Sequence, residues 1–256
     1  MTTALITGAT AGIGAAFARR LARDKHDVVL VARDTERLRR HATELHDRHG
    51  VEASILTADL ATDEGIEAVE ERLGDRRHPV ELLVNNAGFG HKGRYPEVPL
   101  EDELRMLKVH CEAVLRLTTA AVESMRERGR GAVINVSSVT AFLPRGTYGA
   151  SKAWIAQFTQ GAAQDLGPSG VRLMALCPGF VRTEFHRRAE MRTEKVPGWM
   201  WLNADRVVDT AMADLARGRV LCIPDPRYKT LLGVARLAPH GLVSRVSSSV
   251  GRFGPR

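Results

Sequence analysis

Tyr148 and Lys152 stand four residues apart in Tyr148-Gly149-Ala150-Ser151-Lys152. On a helix that spacing puts both side chains on one face, an ammonium beside a phenol. A free phenol ionises near pH ~10 and is a poor proton carrier at neutrality. A neighbouring cation stabilises the phenolate and brings the group closer to the working range. A lowering by roughly 2–3 pKa units corresponds to about 3–4 kcal/mol, within what a buried catalytic pair supplies. Upstream, Val133-Ile134-Asn135-Val136 ends in Ser137-Ser138, and a hydroxyl there could orient an oxygen that trades its proton with the phenol. Tyr-x-x-x-Lys alone also describes an ordinary exposed helix turn, so the pair carries weight only with further motifs.

A second set lies at the N-terminus, in Thr7-Gly8-Ala9-Thr10-Ala11-Gly12-Ile13-Gly14. Glycines there permit a tight turn and close backbone approach to a pyrophosphate. The helix that follows would offer free N–H groups and a favourable dipole. The spacing is Gly-x-x-x-Gly-x-Gly, not the commoner Gly-x-Gly-x-x-Gly. The second apolar run ends Val31-Ala32-Arg33, with no acid where a ribose 2′-hydroxyl would be bound. Arg33 can instead pair with a 2′-phosphate through charge-assisted bonds. NADP(H) is therefore expected over NAD(H), with Asp34 the counter-argument if its carboxylate turns inward.

These residues must be positioned by regular elements. Ala4–Thr7, Val28–Ala32, Ala53–Thr57, Leu82–Asn85, Ala132–Ser137, Leu173–Cys177 and Val220–Ile223 read as strands, nearly continuous in apolar character. Gly12–Arg23, Thr35–His49, Asp63–Leu73, Leu100–Arg128, Tyr148–Leu166 and Ala204–Arg217 read as helices, Leu100–Arg128 being long enough for two helices or one bent one. The alternation predicts a single-domain α/β fold over 1–256: a doubly wound parallel sheet of the Rossmann type with helices on both faces. An aromatic-rich insertion over about 184–203, carrying Phe185, Trp199 and Trp201, interrupts the pattern. Loops of that kind often cover substrate.

Thr-Gly-x-x-x-Gly-x-Gly, Asn85-Asn86-Ala87-Gly88 and Tyr-x-x-x-Lys together resemble the short-chain dehydrogenase/reductase family, from Thr7 to at least Thr183. The resemblance implies that Gly8, Thr10, Gly12, Ile13, Gly14, Arg33, Asp59, Leu60, Asn86, Ala87 and Gly88 line a nicotinamide dinucleotide, with Asp59 on the adenine. It implies that Ser138 orients the substrate oxygen and Tyr148 gives it a proton. Lys152 would lower the pKa of Tyr148 and hold the ribose. Pro178-Gly179-Phe180-Val181-Arg182-Thr183 matches the family's Pro-Gly-x-x-x-Thr, with Val181 and Thr183 on the nicotinamide carboxamide. The protein supplies position and electrostatics, while the cofactor carries the hydride.

Two departures stand out. Ser138 precedes Tyr148 by only ten residues, a shorter interval than the family's, which leaves open whether Ser137 or Ser138 faces the site. His110 stands where the family often has Asn. A histidine there could join a proton relay or only fill space.

The net charge of +7 is concentrated from Pro226 onward, where Arg227, Lys229, Arg236, Arg245, Arg252 and Arg256 meet no Asp or Glu. This basic extension, about 226–256, could stay solvated, attract an anionic substrate or touch a membrane surface. Without interleaved aromatics it is not expected to bind nucleic acid. Cys111, Cys177 and Cys222 lack metal spacing, so no metal is expected. With no secretory signal and no run near the roughly 18–20 apolar residues of a span, a cytoplasmic protein is expected. The reading is an NADPH-linked reductase of a ketone, a carrier-bound 3-oxoacyl thioester among the candidates, or the reverse. An NAD-linked alcohol dehydrogenase and a non-catalytic NADP(H)-binding regulatory protein are the rivals. By the same resemblance, homodimers or homotetramers would pair through Leu100–Arg128 and Tyr148–Leu166.

Overall fold

A computed structural model describes residues 2–91, 93, 95–185 and 196–237. Seven parallel strands form one sheet in the order β3-β2-β1-β4-β5-β6-β7. They are β1 (Thr3–Thr7), β2 (Asp27–Ala32), β3 (Ala53–Thr57), β4 (Val80–Asn85), β5 (Gly131–Val136), β6 (Val171–Leu176) and β7 (Leu221–Cys222). Between them run α1 (Gly12–Arg23), α2 (Thr35–His49), α3 (Asp63–Gly74), α4 (Leu100–Leu107), α5 (Ala113–Glu127), α6 (Gly146–Leu166) and α7 (Ala204–Ala216), with α8 (Pro226–Leu237) last.

Alternation along the strands explains why helices cover both faces. Ala4, Ile6, Val28 and Leu30 point to one core with Phe17, Leu38 and Val208 from α1, α2 and α7. Leu5, Val29, Val31 and Val133 point to the other, with Ile66, Val69, Leu117 and Met125 from α3 and α5. A strand buried on both sides must be apolar throughout, hence the continuous runs. The strand order reverses between β1 and β4, and such a switch point opens a crevice at the strands' carboxyl ends. The glycine loop after β1 and the Asn86–Gly90 loop after β4 meet there.

The long helical region Leu100–Arg128 is one continuous path with a π turn, Lys108–Glu112, between α4 and α5. The basic extension does not begin as a solvated tail. Its first part is α8, whose Tyr228 and Leu232 are buried in the core. Of the expected insertion, 186–195 lies outside the described residues, as does 238–256 of the extension. Among the described residues no helix is long and apolar enough to cross a membrane, and no cluster of ligating side chains could hold a metal.

Candidate active site

Ser138, Tyr148 and Lys152 converge at the carboxyl end of β5. Ser138 caps a 3-10 turn, Val139–Phe142, and its Oγ accepts from Thr140 N–H at 3.1 Å. That bond occupies the oxygen, and Ser138 stands close enough to Tyr148 to pull the phenol's pKa down. Ser137 does something else: its Oγ donates to the Lys152 carbonyl at 2.7 Å and anchors α6. The structure therefore brings Ser138, not Ser137, to the phenol. Lys152 is 5 % exposed, with Nζ 5.8 Å from the Tyr148 ring centre. Its ammonium donates to the Val136 carbonyl at 3.1 Å, which leaves further N–H groups for a ligand.

The expected acidification of Tyr148 by Lys152 is not present in the protein by itself. Burial pushes the phenol up to about 12, against the pull of the Ser138 hydrogen bond. Burial also pushes Lys152 down to about 8. Desolvation sets both directions because both groups leave water together.

His110 sits in the π turn and is 0 % exposed. Phe89 N–H donates to its Nε2 at 3.2 Å, and Nδ1 lies 2.9 Å from Ser151 Oγ. Ser151 Oγ donates to the Tyr148 carbonyl at 2.8 Å. Burial, with the charges of Lys152 and His91, holds the imidazole well below its ordinary pKa. Neither ring nitrogen is bonded to Lys152.

The crevice floor is stapled by Thr7 and Asn86. The backbone N–H groups of Asn86 and Ala87 both donate to Thr7 Oγ1 at 3.0 Å. Asn86 Nδ2 donates to the carbonyls of Thr7 at 2.9 Å and Gly8 at 3.3 Å. Gly8 has φ +67°, and a Cβ there would lie 2.8 Å from Asn86 Nδ2. This turn therefore needs a glycine. The start of α1 suits a pyrophosphate. Asp34, Thr62 and Asn203 cap α2, α3 and α7 with side chains, but α1 has no side-chain cap. Its first N–H groups, flanked by Thr10 and Ile13, are available for an anion.

At the far end of the crevice, Arg33 is 62 % exposed and lies 4.0 Å from Asp59. Arg105 reaches the same carboxylate at 3.2 Å, and Ala61 N–H donates to its other oxygen at 3.0 Å. Asp34 accepts from Arg37 N–H at 3.0 Å, so its carboxylate serves α2. The Leu60 side chain is buried in the core. Arg37 of α2 pairs at 2.9 Å with Glu184, in the segment after β6.

That segment carries Pro178, Gly179, Val181 and Thr183. The Pro178 carbonyl accepts from Val139 N–H at 3.0 Å, next to Ser138. Val181 forms an isolated bridge with Leu202, and Thr183 packs against Gly12 at the start of α1. A Cβ on Gly179 would lie 2.0 Å from the Tyr228 ring, so the aromatic of α8 fills the space a side chain would need. Tyr228 Oη accepts from Phe180 N–H at 3.0 Å and donates to the Met200 carbonyl at 2.7 Å.

Sequence reasoning missed Ser151, Phe89, Arg105 and Tyr228. Ser151 lies inside the Tyr-x-x-x-Lys motif and could have been asked for its partner. The other three act through tertiary contact and carry no local signal.

The comparisons agree with this geometry. The model of the short chain dehydrogenase family matches residues 2–194. The chain is 36 % identical over 186 residues to sulfoacetaldehyde reductase 2 of Chromohalobacter salexigens, covering 71 % of this chain and 73 % of that one. A short-chain dehydrogenase of Sphingobium yanoikuyae, solved with NADPH, superposes with a TM-score of 0.84 at 35 % identity, over 95 % of this chain and 96 % of that one. A bulky-bulky ketone specific alcohol dehydrogenase of Comamonas testosteroni superposes with a TM-score of 0.80 at 32 % identity, over 95 % and 94 %. With its switch-point crevice, uncapped first helix and converging serine, tyrosine and lysine, the chain belongs to the short-chain dehydrogenase/reductase family of nicotinamide-dependent oxidoreductases.

Proposed function

We propose that this protein is an NADPH-dependent reductase that turns an apolar ketone into a secondary alcohol, or runs the reverse. The observation that carries this reading is the convergence of Ser138 and Tyr148 beside the buried Lys152 ammonium. When bound, the nicotinamide supplies the hydride. Gly8, Thr10, Gly12, Ile13 and Gly14 would hold the pyrophosphate, Asp59 the adenosine, and Pro178, Gly179, Val181 and Thr183 the nicotinamide end. Lys152 keeps N–H groups for the ribose. Ser138 orients the substrate oxygen, and Tyr148 delivers a proton to it as the carbon is reduced. The raised pKa of Tyr148 suits this direction, because the phenol stays protonated through neutral pH. Alcohol oxidation needs the phenolate and should gain rate as pH rises.

Arg33 and the turning of Asp34 toward α2 favour NADP(H) over NAD(H). Phe185, 6.1 Å from the Tyr148 ring, favours an apolar substrate, and a carrier-bound 3-oxoacyl thioester falls in that class. Leu104, Leu115 and Trp154, exposed on α4, α5 and α6, favour self-association. The test is a panel of ketones with NADPH and NADH, read by loss of reduced-cofactor absorbance, with Tyr148→Phe in parallel. Turnover with NADPH that Tyr148→Phe abolishes is expected. No turnover on any carbonyl, with NADPH still bound, would leave only a regulatory binding role.

A further inference from the structure

Resting on the proton-transfer role proposed for Tyr148, we infer that His110 is a positioning residue: a neutral histidine that ties the loop after β4 to the catalytic helix and fixes where Tyr148 stands. The hydrogen directions in its chain allow only one arrangement. A backbone N–H at Phe89 can only donate, and the carbonyl of Tyr148 can only accept. Ser151 has one hydroxyl hydrogen, and it goes to that carbonyl at 2.8 Å. Ser151 Oγ must then accept from His110 Nδ1 at 2.9 Å, so the ring proton is on Nδ1. Nε2 is left bare to accept from Phe89 N–H at 3.2 Å.

Only the neutral Nδ1–H tautomer satisfies both neighbours. An imidazolium would set an Nε2–H against the Phe89 N–H. The surroundings act the same way: Lys152 from α6 and His91 from the loop after β4 oppose a positive charge on the ring. Cys111, beside it in the π turn, is held protonated by burial, and the half-buried Tyr148 ring stacks edge-on at 5.7 Å. A relay histidine must give and take protons at the same two atoms. Here both atoms are committed to partners that hold their protons, and neither touches Lys152.

The fold makes room for this ring. Gly88 leaves the space beside it, since a Cβ there would lie 2.9 Å from Nε2 and 3.5 Å from Lys152 Nζ. The π turn Lys108–Glu112 carries His110, and such turns often bring a side chain inward at a functional site. One end of the chain is the loop that borders the cofactor crevice; the other is the peptide of the proton donor. Cutting it leaves the chemistry intact but loosens its geometry.

The experiment compares Ser151→Ala, His110→Ala and the double variant with the natural protein, using a ketone that the panel shows to be turned over. Each single variant is expected to lower kcat about ten-fold, the scale of a small misplacement of a reacting group. The double variant should lose no more than the worse single, because both cut one chain. KM for NADPH should hold within about two-fold, and the alkaline pH at which kcat falls should stay put. Should His110→Ala not fold, Ser151→Ala, which removes one hydroxyl, carries the test. Full activity in Ser151→Ala, additive losses, or a displaced pH limb in His110→Ala would overturn the inference. Tyr148→Phe separates the two readings. If it keeps its activity, the proton-transfer reading fails. If it is inactive while Ser151→Ala and His110→Ala are fully active, only the positioning role falls.

Discussion

The two ends of the dinucleotide crevice are built on opposite principles. At the nicotinamide end the polar groups are buried and almost all hydrogen-bonded. Asn135 is 0 % exposed, accepts from Asn85 Nδ2 at 2.9 Å and donates to Thr159 Oγ1 at 3.0 Å. Lys152, Ser137, Ser151 and His110 make further buried hydrogen bonds around Tyr148. At the adenosine end Arg33, Arg105 and Asp59 meet in solvent. Buried networks fix geometry and punish the loss of any member. Exposed ion pairs are weak and screened, so they can be exchanged with little effect on folding. The proposed proton chemistry and the proposed cofactor choice thus fall in regions of very different tolerance.

The comparison breaks most sharply at Lys152. Lys152→Met is expected to abolish turnover and yet stabilise the cofactor-free protein at pH 7. The sign follows from its lowered pKa of about 8 against an ordinary 10.5. The folded state resists protonating this amine, so its penalty is fully present below pH 8 and is relieved as pH rises from about 8 to 10.5. The penalty is about 3 kcal/mol, less about 1 for the lost Val136 hydrogen bond. Chemical denaturation of both proteins at pH 7 and pH 9.5 measures it. A Lys152→Met variant less stable than the natural protein at pH 7 would mean that the lysine is not desolvated as described.

Asn135→Ala should act in the opposite sense. It takes one buried partner from each of Asn85, Thr118 and Thr159, and a loss of about 2–4 kcal/mol is expected, read by urea unfolding. At the exposed end the effects shrink. Arg33→Ser should lower the preference for NADPH over NADH about ten-fold, read as a kcat/KM ratio, with folding unchanged. Arg105→Ala should leave Tm within about 2 °C. A large Tm loss there would show that the two ends are not so different.

The same contrast governs what the sequence makes legible. The sheet and its flanking helices follow from apolar periodicity, which is local. Strand edges such as Asp27 and Val80 were missed because polar or isolated apolar residues extend the ladder without extending the pattern. Tyr148, Lys152 and the glycine loop were readable because their spacing is itself the chemistry. Ser151, Phe89 and Arg105 were not, since their roles exist only after distant segments meet. The pKa expectation for Tyr148 failed for a related reason: a motif shows which charges are near, not how much water is excluded from both. Helix α8 was hidden by the composition of the 226–256 extension, whose six basic residues drew attention from the single tyrosine that enters the core.

That tyrosine has a dynamic consequence. The amide proton of Phe180 is held by Tyr228 Oη, so hydrogen exchange at this one site should report how often the terminal helix lifts from the sheet. Each such opening also frees Gly179 and the Met200 carbonyl, so transient fraying at the last described helix would momentarily release the segment proposed to hold the nicotinamide end.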